Sequence, residues 1–532
     1  MKRYTKMGTV GVVGLGLGVA VLAATTLPAS AAEHVAAQVI SANPAFGIQN
    51  NVLSADMTQT PVAYGQLPLA NPKGGLSHYG YGTANGGPLT QDPHEALKTE
   101  PDKNVYLVFG NKHYLYQGHE GGTQGYVTRV DLDEKDLTKR VTLIADARSD
   151  GGSVPTFDGI TWNPFTHQLL MTAEASAPNG GVFAVTLDDT GDPVDGAITK
   201  LDALGSGGYE GIQNDSAGNV WLVEDIGGKS VSGGKAPGSY VYRFTPASPT
   251  DLSSGKLEAL QVQRKDGSPV TAKQLAADPA DPFIADLHTY GSSFSTRWVA
   301  LTLGADNGST AAAAAAGATP FKRPENGVFR PGTNFTEFYF TETGDTSKNS
   351  TLPGAFGGVF RLSQSSPTAQ TGTLSPVYVG DLAHTGLDNI QFKSRDELLV
   401  VEDAGDALHA QRNALDSGYV IDVSKKAGKH ATAVRWLAEG RDASAAYDHN
   451  MSPGYNDGDN EITGVHVSNG DPSVRGLLGA TIPSLFTNGW RGFWTQQHGD
   501  NVTWELLPAA PTNDAAHHGA KGGPDSHRQE TD

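Results

Sequence analysis

The sequence predicts an all-β fold, a six-bladed β-propeller with long inserted loops, and three observations carry that prediction. A unit of three β-type runs recurs six times along the chain. The first run of each unit opens on an acid. The composition, with 66 Gly and 30 Pro in 532 residues and 38% apolar content, is that of a turn-rich β protein. A pair of β-sandwiches would leave six copies of one pattern unexplained, and a β-solenoid needs shorter, even repeats.

Taken in order, residues 1–31 read as a secretory signal. Lys2, Arg3 and Lys6 form a basic n-region, a Gly/Ala/Val/Leu stretch follows, and Ala29-Ser30-Ala31 supplies a small-residue exit. Lys2-Arg3 is a faint twin-arginine echo, so the general export route is expected, and the protein is expected outside the cell or on the envelope exterior. No other stretch is long and apolar enough to span a bilayer. Residues 32–90, rich in Asn, Gly, Pro and Gln, are expected to wrap irregularly around the body.

The propeller is expected over residues 91–508. Its first runs are Glu95-Ala-Leu, Asp158-Gly-Ile, Glu210-Gly-Ile, Glu325-Asn-Gly-Val, Asp388-Asn-Ile and Glu461-Ile-Thr-Gly-Val. The second runs are Asn104–Gly110, His167–Glu174, Asn219–Asp225, Thr336–Thr343, Asp396–Asp403 and Arg491–Asp500. Third runs lie at Gly125–Asp131, Gly180–Leu187, Ser239–Phe244, Gly357–Leu362, Ser417–Val423 and Asn501–Leu506, with weaker fourth runs such as Val141–Asp146. The widest gap, between Asp225 and Glu325, holds Asp281–Leu303 and the Ala311–Ala316 tract, read as a flexible bridge without chemistry. Residues 509–532 are Gly-rich and polar and are expected to be disordered.

First strands line the channel of a propeller, so their opening acids should ring one mouth. Second strands run back, so Glu174, Glu224, Asp225, Glu342, Glu402 and Asp403 should return to the same face. Such carboxylates repel one another unless cations occupy the centre, and hard divalent cations with six to eight oxygen ligands, calcium above all, suit irregular carboxylate geometry. The candidate metal ligands are Glu210, Glu325, Glu461, Asp158, Asp388 and Glu120, with a second metal besides calcium left open. Arg323, two residues before Glu325, offers a planar fork suited to a phosphate or carboxylate, and Asn389 joins it as a candidate substrate contact. Asp457-Gly-Asp-Asn-Glu461 has calcium-loop composition but lacks EF-hand spacing. A net charge of −19 argues against nucleic acid as a partner, and the absence of cysteine means that core packing or metals, not disulfides, hold an exported chain.

Several stretches resemble the PhoX family of secreted bacterial alkaline phosphatases. They are Gly118-His119-Glu120, Tyr209-Glu210-Gly211, Tyr240–Phe244, Thr319-Pro-Phe-Lys-Arg-Pro-Glu325, Asp388-Asn389, Glu461-Ile-Thr-Gly464 and Gln496-Gln-His-Gly499. The resemblance implies a six-bladed propeller with a calcium and iron centre, in which Glu210 and Glu325 hold metal and Arg323 contacts the substrate phosphate. The family's iron-ligand cysteine is missing: Pro155-Thr156-Phe157-Asp158 stands in its place, and an iron–thiolate centre is excluded. The expectation is therefore a monomeric, metal-dependent phosphoester hydrolase acting on a small molecule. A calcium-dependent lactonase or esterase, or a non-catalytic propeller held by calcium, are the alternatives.

Overall fold

A computed structural model of the chain describes residues 40–47, 49–83, 96–120, 125–424, 431–441, 461–497 and 501–510. The expected signal, the opening acid Glu95, the run Asp457–Asn460, His498 and the tail beyond 510 lie outside the described residues.

The sequence units fold as antiparallel meanders. In the second unit Ile160–Asn163 pairs with Gln168–Ala173, which pairs with Gly181–Thr186, which pairs with Ala197–Lys200. Every unit starts on a strand at a sheet edge: Pro101–Phe109, Ile160–Asn163, Tyr209–Asn214, Gly327–Phe329, Leu387–Phe392 and Glu461–Ser468. These six inner strands pack on one another in a closed cycle, which makes the arrangement propeller-like. Alternate residues of the middle strands are apolar on both faces, and the faces of neighbouring sheets stack into continuous cores. In one of these cores Trp221 packs edge-on against Trp298 and Phe329.

The structure shows four separate blades, not the six expected. Two units are fused into a nine-stranded sheet with the inner strands Tyr209–Asn214 and Gly327–Phe329 at its edges. The reason lies in the Asp225–Glu325 gap. Phe294–Ala300 forms a strand there and hydrogen-bonds to Asp251–Val262 on one side and Thr371–Val379 on the other. The gap is therefore no flexible bridge. Phe283, Ile284 and Leu287 of the helix Pro282–Leu287 are buried with Phe294 and Trp298, and Ala311–Ala315 belongs to the helix Ser309–Ala315.

Residues 32–90 also differ from the irregular wrap expected. Met57–Ala63 pairs with Val502–Pro508 and completes the last blade, Val52–Leu53 pairs with Ala433–Ala438, and Pro68–Lys73 runs parallel to Val141–Ala145. In the first unit the expected second run is the inner strand, Pro101–Phe109, and Lys112–His119 is its partner.

Candidate functional site

Asp102, Glu210 and Asp388 sit where the pairing of their inner strands is interrupted. Register shifts fall between Pro101 and Asn104, Tyr209 and Ile212, Leu387 and Ile390, and Thr463 and His466. Such bulges tilt a strand end and re-aim its side chains. Glycines after the acids allow the next strand to come close. A Cβ on Gly159 would lie 2.2 Å from the Glu210 carbonyl oxygen, and one on Gly211 would lie 2.8 Å from that of Glu325. The Asp-Gly and Glu-Gly pairs of the sequence thus exist because each acid's backbone rests on the glycine of the preceding unit.

Three overlapping triads of carboxylates result: Asp102, Glu120 and Asp158; Asp158, Glu174 and Glu210; Glu210, Glu325 and Asp388. In each, one oxygen per residue lies within 4.8 Å of the others. Burial comes first among the causes that raise the Asp158, Glu210 and Glu325 carboxyls well above the usual range, followed by the charge of neighbouring acids. Asp388 is pushed up to about 6, again by burial, while hydrogen bonds from Asn389 and Asn326 partly offset the rise. The residues fit hard cations. Every donor is a carboxylate oxygen, and Asp102 Oδ1 is buried without a hydrogen-bond partner among the described residues.

Of the predicted ligands, Glu120, Asp158, Glu210, Glu325 and Asp388 are brought together. Glu461 lies beside them and presses on both Asp388 and Asp403, outside the three triads. Asn389 is buried and donates to Asp388 Oδ2 at 3.0 Å, while its own Oδ1 has no partner among the described residues. Arg323 adopts a left-handed backbone, φ 60°. Its Nη2 lies 2.7 Å from Asp225 Oδ2 and 3.5 Å from Glu325 Oε1, and its Nε donates to the same Asp225 oxygen at 2.8 Å. The side chain is 19% exposed, so the guanidinium sits at the rim of the acids and reaches solvent.

The strand-end acids divide. Glu174 belongs to the centre and Asp225 holds Arg323. Contrary to expectation, Glu224, Glu342 and Glu402 do not join the ring, because successive strand residues point to opposite faces. Glu224 accepts from Tyr242 and Thr310. Glu402 accepts from both ends of the Arg412 fork. Glu342 accepts from the Lys322 amide and pairs with His288 at 2.8 Å, which braces the loop that carries Arg323. His119 is a buried structural residue between the Thr99 carbonyl and the Thr128 hydroxyl, and burial lowers it to about 3.

Sequence reasoning missed Asp102 and Lys103. Lys103 is buried and donates from Nζ to Asn326 Oδ1 at 2.6 Å. The signal was present, since Asp102-Lys-Asn-Val repeats the Asp388-Asn-Ile pattern, but the first unit was set one strand out of place.

In fold the chain is similar to a solved structure of Pseudomonas fluorescens PhoX in complex with vanadate, a transition state analogue. It is 13% identical, with a TM-score of 0.55 over 88% of this chain and 98% of that one. A putative 6-phosphogluconolactonase from Bacteroides fragilis is 11% identical with a TM-score of 0.32, covering 79% of this chain and 100% of its own. The α-L-arabinofuranosidase of Podospora anserina in complex with cellotriose is 8% identical with a TM-score of 0.32, covering 85% and 99%. No curated protein is matched in sequence. The model of the family "Alkaline phosphatase PhoX" matches residues 192–473, more than half of the chain and the part that carries Glu210, Arg323, Glu325, Asp388 and Glu461; the chain belongs to the PhoX family of alkaline phosphatases.

Proposed function

We propose that this protein hydrolyses small-molecule phosphoesters at the carboxylate centre, with calcium among its cations and Arg323 as the clamp on the phosphate. The observation that carries the reading is the placement of Arg323, a fixed guanidinium on the rim of three fused carboxylate triads. Asp225 engages Nε and Nη2, which orients the fork and leaves Nη1 for an anionic oxygen. Glu325 tethers the same group from the metal side, so a phosphate on Arg323 would lie against the triads that hold Glu174, Glu210, Glu325 and Asp388. Those acids would hold divalent cations, which supply charge stabilisation to a phosphoryl group and acidify a water. The buried Glu342–His288 pair keeps the Arg323 loop in place while substrate exchanges. An exported location, where calcium is abundant, suits this donor set, and among the described residues no helix is long and apolar enough to cross a membrane.

The test is hydrolysis of an aryl phosphate by wild type and Arg323→Ala, with metal content measured beside each rate. The Arg323→Ala protein should keep its metals and lose about ten- to a hundredfold in kcat/KM, the worth of a charge-assisted contact. Wild-type protein that is fully metallated yet silent on phosphomonoesters and diesters sinks the reading.

A further inference from the structure

Lys103 and Asn326 are buried, and neither has a part in the chemistry above. Lys103 follows Asp102 on the first inner strand, and Asn326 follows Glu325 just before the fourth. In the cycle of six, the first inner strand packs on the second and the sixth, and the fourth packs on the third and the fifth. The first and fourth therefore stand opposite each other. Lys103 reaches across between them and donates from Nζ to Asn326 Oδ1 at 2.6 Å.

That contact decides how the Asn326 amide lies. An ammonium only donates and an ionised carboxylate only accepts, so an amide between the two has one favourable orientation. Its oxygen turns to Lys103, and its Nδ2 donates to Asp388 Oδ1 at 3.2 Å. Asn389 Nδ2 donates to the other oxygen, Asp388 Oδ2, at 3.0 Å. The Thr341 hydroxyl sets the spacing of the two backbones, accepting from the Asn326 amide at 3.1 Å and donating to the Asp388 carbonyl at 2.7 Å. One amide on each oxygen fixes the plane of the Asp388 carboxylate and leaves its remaining lone pairs for the cluster it forms with Glu210 and Glu325. We infer that Asn326 is a positioning residue of the third triad, holding Asp388 in its ligating orientation, and that Lys103 orients Asn326 from the opposite strand. The ammonium on the amide oxygen also polarises the amide and strengthens its donation to Asp388. This inference rests on the metal-bearing reading of the centre.

The experiment is a double-mutant cycle on the midpoint of calcium binding, read by calorimetric titration of chelator-treated, dialysed wild type, Asn326→Leu, Lys103→Met and the double variant. Asn326→Leu should weaken binding by about ten- to a hundredfold, the usual worth of a hydrogen-bond partner to a metal ligand. Lys103→Met also removes a positive charge, which favours cations in both backgrounds and so cancels from the cycle. What remains is orientation. Lys103→Met should be less favourable to calcium in the wild-type background than in the Asn326→Leu background, by about threefold or more. Additive changes overturn the role of Lys103, and Asn326→Leu with wild-type affinity overturns the whole inference; both leave the metal reading standing. A wild type that binds no divalent ion overturns both. If Lys103→Met does not fold, crystals of Asn326→Leu soaked in manganese decide, with Asn326→Ser, too short for either contact, in reserve. An anomalous peak lost at Glu210, Glu325 and Asp388 but kept at Asp102, Glu120 and Asp158 supports the inference, and unchanged peaks or equal loss at both refute it.

Discussion

Glu402 and Asp403 are neighbours in sequence, both buried or nearly so, and they live in opposite electrostatic worlds. Glu402 faces into its blade, where the Arg412 fork, the Thr385 and Ser417 amides and the Tyr419 hydroxyl all turn hydrogens toward it. Asp403 faces the centre, where Glu461, Asp416 and Asp388 press on it and Arg323 opposes them. The first acid has its counter-charge built into the chain. The second sits among like charges, and on the proposed function its counter-charge would come from bound cations. Burial therefore does not separate structural acids from functional ones in this fold; the sign of the neighbours does.

Removing the external charge is expected to have the largest effect. Chelation should abolish aryl phosphate hydrolysis and lower the melting temperature, since each cation at a hundredfold excess over its Kd contributes about 2.7 kcal/mol to the native state. A melting curve unmoved by chelator would erase the distinction between the two sets of acids.

Next comes a pair of substitutions. Glu402→Gln removes one partner of a buried ion pair and should cost about 3 kcal/mol with or without calcium, at unchanged metal content. Glu210→Gln should lose metal and activity together, yet the chelated variant should melt no lower than chelated wild type, because a like charge has been removed from the cluster. Denaturant titrations of both variants, with and without chelator, measure this. Equal behaviour of the two would break the comparison.

The smallest effect expected is in the pH profile of the chelated protein. Asp388 ionises at about 6 in the folded state, raised by burial, against an ordinary 3.8. The folded state then holds a proton that the unfolded state releases. Its stabilising share is complete below the ordinary value and is lost as pH rises through about 6. Melting temperatures of chelated protein should fall from pH 4 to pH 7, and calcium should flatten or reverse that slope. Parallel curves with and without calcium would show that the acids of the centre do not bind it.

Much of the centre could be read from residues alone, and for a definite reason. An acid followed by glycine at the start of a strand records a backbone contact with the next unit, so Asp158-Gly159 and Glu210-Gly211 announced both the packing and the convergence. Arg323 and Glu325 were legible through their spacing on one loop. The face chosen by each member of a Glu-Asp pair was not legible. A period of two says that Glu224 and Asp225 diverge, but only the Tyr242 and Thr310 hydroxyls decide which one turns inward. The fusion of two units was hidden as well. Phe294–Ala300 reads as one more β run, and its two partners are fixed by tertiary packing that no local pattern records. Asp102 and Lys103 were lost to a misplaced strand in a unit whose expected opening acid, Glu95, lies outside the described residues.

The pairing of Met57–Ala63 with Val502–Pro508 bears on how the molecule comes into being. The strand that completes the last blade is synthesised second among the described strands, after Val52–Leu53, and its partner last. Glu461 and Asp102 lie on adjacent inner strands of the closed ring, so a centre that binds cations as proposed would reach full affinity only after the ring has closed. Contacts of such long sequence separation form slowly, because the loop they close must first be ordered. Until then the ring stands open, and on the proposed function cation capture and ring closure become two readings of one cooperative event.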